Sequence, residues 1–200
     1  MSNKICSPKI CPWWLGYFLA SPLRKLFGNP EKILSLHVQA GMTALDVGPG
    51  MGYFTLPLAK IVGPSGRVIA VDLQENMLSG LKRRAKRAGL SERIECRLAS
   101  EKSLNLADLA GRINFALAYY VVHEVPDPER FLSEIAGALA PGGRLLIVEP
   151  SHHVTSENFG KTLNLAPKAG LSTVSNVPLS SKLSALLEKG LTPTADRRPG

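Results

Sequence analysis

The chain has few cysteines, and Cys6, Cys11 and Cys96 cannot all pair with one another. That excludes a disulfide framework and suits free thiols in a reducing compartment, so a cytoplasmic location is expected. Its 18 glycines and 15 prolines follow no period, which excludes a fibrous repeat. No apolar run approaches the roughly 20 residues that a membrane-spanning helix needs. The longest early run, Ile10 to Ala20 behind Lys4 and Lys9, imitates a signal peptide, but Phe18 and Ala20 make a poor cleavage site. Aromatic residues are only 6% of the chain, yet Trp13, Trp14, Tyr17 and Phe18 crowd into one stretch.

What is present describes a soluble globular chain. A hydrophobic fraction of 44% with 20% charged residues over 200 positions can bury one sizeable core. Much of the net charge of +8 comes from the run Lys82, Arg83, Arg84, Lys86 and Arg87. Such a run reads first as the solvated face of a surface helix, with no nucleic-acid partner expected and peripheral membrane contact left open.

Residues 1–40 form a helical and aromatic preamble, in which Asn29 caps and Pro30 starts a helix to about His37. Residues 41–190 carry the main domain, and 191–200 are expected to be disordered. From Met42 strands and helices alternate. Strands are predicted at 43–47, 67–72, 93–98, 113–122 and 144–149. Helices are predicted from about Thr55 to Val62, over 75–88, from Pro128 to Leu139, and over 156–169. Pro141-Gly142-Gly143 reads as a tight turn. The chain then finishes with two strand-like segments, 171–177 and 179–188, which should pair as an antiparallel hairpin. The pattern predicts an α/β fold, a doubly wound Rossmann-like seven-stranded sheet, mostly parallel with a C-terminal antiparallel hairpin.

The most informative segment is Leu45-Asp-Val-Gly-Pro-Gly-Met-Gly52, placed between a strand and a helix. Its glycines let backbone approach a ligand at the positive end of the following helix. A dinucleotide loop would place its third glycine where Tyr53 stands. Instead Asp46 precedes Gly48, and a carboxylate there suits a cationic amine rather than a pyrophosphate. Asp72 ends the second strand, where an acid takes the hydroxyls of a ribose. An amine and a ribose without a diphosphate describe S-adenosyl-L-methionine.

With those residues in view, positions 42–149 resemble a class I S-adenosyl-L-methionine-dependent methyltransferase of the ubiquinone and arsenite type. The resemblance rests on LDVGPGMGYF (45–54), VIAVD (68–72) and the stretch from Tyr119 to Pro150 containing ALAPGGRLLIVEP. It implies that Asp46, Gly48 and Gly50 hold the methionine portion of the cofactor. It implies that Asp72 holds the ribose and that Leu73 flanks the adenine. The family often reaches the adenine amino group with an acid after the third strand; here Ser100 stands there, with Glu101 next.

Ligands in such sheets sit beyond the carboxyl ends of the strands. Tyr119, Tyr120, His123, Glu124, Glu149, His152 and His153 fall there. His123 is the first candidate for a general base and His153 the second. A metal reading of His123, His153 and Glu149 is available, but nothing in their spacing requires it. The C-x4-C spacing of Cys6 and Cys11 matches no metal pattern, Cys96 reads as a buried small hydrophobe, and three thiols are thin for arsenite chemistry. The function expected is methyl transfer to a small or medium-sized molecule. A non-catalytic S-adenosyl-L-methionine-binding protein, or a membrane- or nucleic-acid-associated accessory, is the alternative.

Overall fold

The computed structural model describes residues 29–175, 179 and 182–191. The Trp-rich stretch, Cys6, Cys11 and the tail from 192 lie outside the described residues.

The first described element is a short helix, α1 (Pro30–Leu34), and its start follows from its sequence. The Asn29 side chain accepts from the backbone N–H groups of Glu31 and Lys32, and Pro30 fills a position that needs no donor. The expected extension to His37 does not form, because the His37 N–H bonds the Leu34 carbonyl in a tighter turn.

Among the described residues seven strands form one sheet in the order β3-β2-β1-β4-β5-β7-β6. They are β1 (Thr43–Val47), β2 (Arg67–Asp72), β3 (Ile94–Leu98), β4 (Ile113–Tyr119), β5 (Leu139–Pro150), β6 (Leu171–Ser175) and β7 (Lys182–Lys189). The first five pair in parallel, and β7 lies antiparallel to both β5 and β6. The expected mixed sheet and terminal antiparallel pair are both present.

The nearly unbroken apolar sequences of β1, β2 and β4 follow from cover on both faces. Alternate side chains serve opposite layers. Leu45, Ile69, Ala116 and Ile147 pack with Phe131, Leu132 and Ile135 of helix α4 (Pro128–Ala138). Ala44, Val68, Phe115 and Leu146 pack with Leu34 of α1 and Leu58 of helix α2 (Thr55–Ile61). Helix α3 (Glu75–Arg87) buries Met77, Leu78 and Leu81 while Lys82, Arg83, Lys86 and Arg87 face outward.

Four further expectations need correction. The fourth strand stops at Tyr119 rather than Val122, because Tyr120 takes a left-handed backbone with φ 63° and turns the chain away. The fifth strand starts at Leu139 rather than Arg144: the turn at Pro141-Gly142-Gly143, where Gly142 has φ 74°, loops out within β5, and the pairing with β4 shifts from Ile113–Leu139 to Phe115–Arg144. The helix expected over 156–169 ends at Leu163 as α5 (Ser156–Leu163). Pro167 has no N–H, and its ring would strike the Leu163 carbonyl, so only a 3₁₀ turn (Ala166–Ala169) follows. Cys96 is half-buried rather than buried, since β3 is an edge strand with a partly open face; burial still pushes its thiol up.

Candidate active site

The strand order reverses at β1, with β2 and β3 on one side and β4 and β5 on the other. This leaves a crevice beyond the carboxyl ends of β1 and β4. A cavity of about 920 Å³ opens there, and Asp46, Gly48, Gly50, Asp72, Leu73, Ser100, His123 and His153 all line it. The fold thus gathers every residue singled out for the cofactor and both candidate bases.

The loop after β1 is shaped for close approach. Gly48 has φ 67°, and a Cβ there would lie 2.3 Å from Val121 Cγ2. Gly50 has φ 53°, but a Cβ would meet nothing within 4 Å, so its backbone borders open space. The Gly50 N–H donates to Asp72 Oδ2 at 3.2 Å, and the Gln74 N–H donates to Oδ1 at 2.9 Å. The Arg84 guanidinium on α3 also donates to the Met51 carbonyl, strapping the loop to that helix.

Two acids stand out electrostatically. Asp46 is 2% exposed, and its Oδ2 accepts from the Thr55 hydroxyl at 2.7 Å. Burial pushes its carboxyl from 3.8 up to about 7, with the Thr55 bond opposing and the Asp72 charge adding to the rise. Burial likewise pushes Asp72 up to about 6, against the N–H groups of Gln74, Gly50 and Leu73. Buried carboxylates that resist ionisation are costly unless a cation joins them. For Asp46, that matches a site for the ammonium group of S-adenosyl-L-methionine. Leu73 is 43% exposed beside Asp72, an apolar surface at the position expected against adenine. These residues fit the cofactor.

Ser100 lines the cavity, but its hydroxyl accepts from the Lys102 N–H and contacts the Ser103 carbonyl. Glu101 is exposed on the same wall. The loop is fixed by Glu134 on α4, which also lines the cavity and accepts from the Ser103 hydroxyl and the Leu104 N–H.

On the opposite wall, the turn at Tyr120 feeds a 3₁₀ segment (Val122–Glu124) that presents His123 to the cavity. His123 Nδ1 bonds Glu149 Oε2, and the Val122 N–H donates to Glu149 Oε1 at 2.8 Å. The other ring nitrogen, Nε2, lies 4.0 Å from Glu124 Oε1. The bond to Glu149 holds the His123 imidazole above its ordinary value, against the opposing effect of burial. Burial raises Glu124 as well. His153 stacks on His123 with ring centres 6.3 Å apart, and His152 packs against His153 at 4.4 Å.

The metal reading finds no geometry to support it. Both oxygens of Glu149 are engaged by Val122 and His123, and among the described residues no three His, Cys, Asp or Glu side chains converge to hold an ion. Sequence reasoning missed the aromatic wall of Tyr53, Phe54 and Phe131, and it missed Thr55 and Glu134. Phe54, Tyr119 and Tyr120 form a chain of tilted rings with centres 4.3 and 4.4 Å apart. The adjacency of Tyr53-Phe54 to the glycine loop was the available signal.

Residues 38–190 match a family model described as a methyltransferase domain. Among curated proteins the chain is similar to the arsenite methyltransferase of Halobacterium salinarum. The identity is 29% over 162 residues, 81% of this chain and 39% of that protein. It is also similar to the ubiquinone/menaquinone biosynthesis C-methyltransferase of Hahella chejuensis. There the identity is 30% over 125 residues, 61% of this chain and 49% of that protein. The chain spans about a third to a half of the length of the curated relatives it matches. A solved SAM-dependent methyltransferase from Aquifex aeolicus has a TM-score of 0.79 at 26% identity, covering 90% of this chain and 98% of that one. The fold, at 17% identity and a TM-score of 0.63, is shared with geranyl diphosphate C-methyltransferase from Streptomyces coelicolor, solved with S-adenosyl-L-homocysteine. That likeness covers 80% of this chain and 74% of that one.

Proposed function

The chain belongs to the class I S-adenosyl-L-methionine-dependent methyltransferases, and from that premise we propose that it methylates a small or medium-sized acceptor that loses a proton, with His123 as the general base. The observation that carries this reading is the His123 ring. It lines the cavity, its Nδ1 is bonded to Glu149, and its Nε2, 4.0 Å from Glu124 Oε1, lies beyond hydrogen-bond distance of that carboxylate.

When bound, the cofactor supplies a methyl group on a sulfonium, a good leaving group. Asp46 would hold the methionine ammonium, and Gly48 and Gly50 would admit the chain to close range. Asp72 would take the ribose hydroxyls, Leu73 would lie on the adenine, and Ser100 or Glu101 would meet its amino group. The main contribution of the protein is then alignment, which places the nucleophile in line with the methyl group. A cavity of about 920 Å³ leaves space beside the cofactor for a modest acceptor. Its wall of Tyr53, Phe54, Tyr119, Tyr120 and Phe131 suits an acceptor with a flat apolar body. The acceptor's proton passes to His123 Nε2, a transfer that general base catalysis accelerates by about 10²–10⁴-fold. His153, stacked on His123, forms the outer wall of the same pocket.

The test is a methyl-transfer screen with radiolabelled cofactor against phenols, enolisable diketones, amines and thiols. Phenol or enol acceptors should be methylated, and His123→Asn should lose about 10²-fold or more of the rate while binding S-adenosyl-L-homocysteine as the parent does. Unchanged turnover in His123→Asn would remove the base. Tight S-adenosyl-L-homocysteine binding with no turnover on any acceptor would favour a non-catalytic cofactor-binding protein.

A further inference from the structure

We propose that Glu149 is the positioning residue of this site, fixing the neutral His123 proton on Nδ1 and thereby turning a lone pair on Nε2 toward the acceptor. The inference rests on His123 acting as the base.

Glu149 sits one residue before the end of β5, paired in register with Leu183 of β7, and is 2% exposed. It does not line the cavity, whereas its neighbour Pro150 does, so it acts from behind the wall. Its two oxygens serve two purposes. Oε1 accepts from the Val122 N–H and holds the backbone of the turn that carries His123. Oε2 bonds His123 Nδ1 and sets the plane of the ring. A carboxylate carries no proton of its own to give, so the hydrogen in that bond belongs to the imidazole and lies on Nδ1. The neutral ring must then present a lone pair at Nε2.

Holding the turn alone does not need a charge. An amide oxygen would accept the Val122 N–H equally well, without the desolvation cost of a buried carboxylate. A carboxylate is distinguished by what it does when the imidazole gains a second proton: it stabilises the cation. The groups facing His123 fit that use. Glu149 approaches from β5 and Glu124 from its own turn. The imidazoles of His152 and His153 come from the loop after β5, and Asp127 and Arg130 line the same cavity at the start of α4. The carboxylates on the two edges of the ring raise its proton affinity.

The experiment is a long-range ¹H–¹⁵N correlation spectrum of the full chain labelled in histidine and saturated with S-adenosyl-L-homocysteine, followed across pH. His123→Asn identifies the resonances. In the parent, neutral His123 should carry its proton on Nδ1 and titrate above the ordinary histidine value. In Glu149→Gln the amide oxygen keeps the Val122 bond while its NH₂ group faces Nδ1. The proton should move to Nε2, and the titration midpoint should fall by about 1–3 pH units. Turnover on the phenol panel should drop on the order of 10²-fold, with its acid limb shifted to lower pH.

A parent protein with the proton on Nε2, or a midpoint at or below the ordinary value, overturns the proposal even if Glu149→Gln fails to fold. So does a folded Glu149→Gln whose tautomer and acid limb match the parent. If His123→Asn retains turnover while the parent shows the Nδ1 tautomer, the base reading falls, and with it the catalytic use of this contact.

Discussion

Replacing Asp46 by asparagine should stabilise the cofactor-free fold and weaken cofactor binding in the same stroke. The folded carboxyl sits at about 7 against 3.8 for the free group. Between those values the native state holds a proton that the unfolded chain has released, so stability falls as pH rises through the window. Above 7 the full cost is present, up to about 4 kcal/mol at roughly 1.36 kcal/mol per pH unit. Asparagine carries no such cost, and its side-chain oxygen can still accept from the Thr55 hydroxyl. The gain in stability should be near nothing at pH 4 and complete by pH 8. For a chain of this size it corresponds to a rise of at most about 8–16 °C in melting temperature. Cofactor affinity should fall about 10–100-fold, the worth of one hydrogen bond to a charged group. Thermal melts from pH 4 to 8 and calorimetric titration at pH 8 read both effects. A gain independent of pH, or an unchanged affinity, would refute the argument that a buried, charge-seeking carboxylate defines this end of the site.

The glycine loop gives a paired prediction. Gly48→Ala should lower unfolding stability by about 1–3 kcal/mol, because its methyl group meets Val121 at 2.3 Å. Gly50→Ala has open space and should cost only about 1–2 kcal/mol of backbone strain, yet weaken S-adenosyl-L-homocysteine more than its stability loss suggests; urea melts with and without ligand separate the two. Asp72, pushed to about 6, should lose its last proton when the cofactor binds. At pH 6 the apparent binding enthalpy should therefore vary with the ionisation enthalpy of the buffer, a dependence reduced in Asp72→Asn and reduced further when Asp46→Asn is added.

The parallel part of the sheet was legible because its strands are short, apolar and punctuated by glycine, and β1 and β2 fall at their expected bounds. The glycine loop and Asp72 were legible for a related reason: they fall within one local β1–α2–β2 unit. The errors arose where tertiary contacts override local pattern. Val121 and Val122 continue the apolar run of β4, and nothing local says that Tyr120 will adopt a positive φ. That one residue converts a strand end into the turn that carries His123. The pairing of His123 with Glu149 joins residues 26 apart, on neighbouring strand ends, and depends on the β4–β5 register. Both residues were visible as candidates, but the bond between them was not.

The place of β7 has a consequence for synthesis. The last strand among the described residues lies between β5 and β6 rather than beyond β6. Until residues 182–189 have left the ribosome, β5 has no partner on that side and β6 has none in the sheet. A nascent chain halted near residue 175 would expose two unpaired edges, the condition that invites strand addition by other chains. Completion of this side of the sheet therefore waits for β7. The interval just before it is when this protein would most need a chaperone to shield β5.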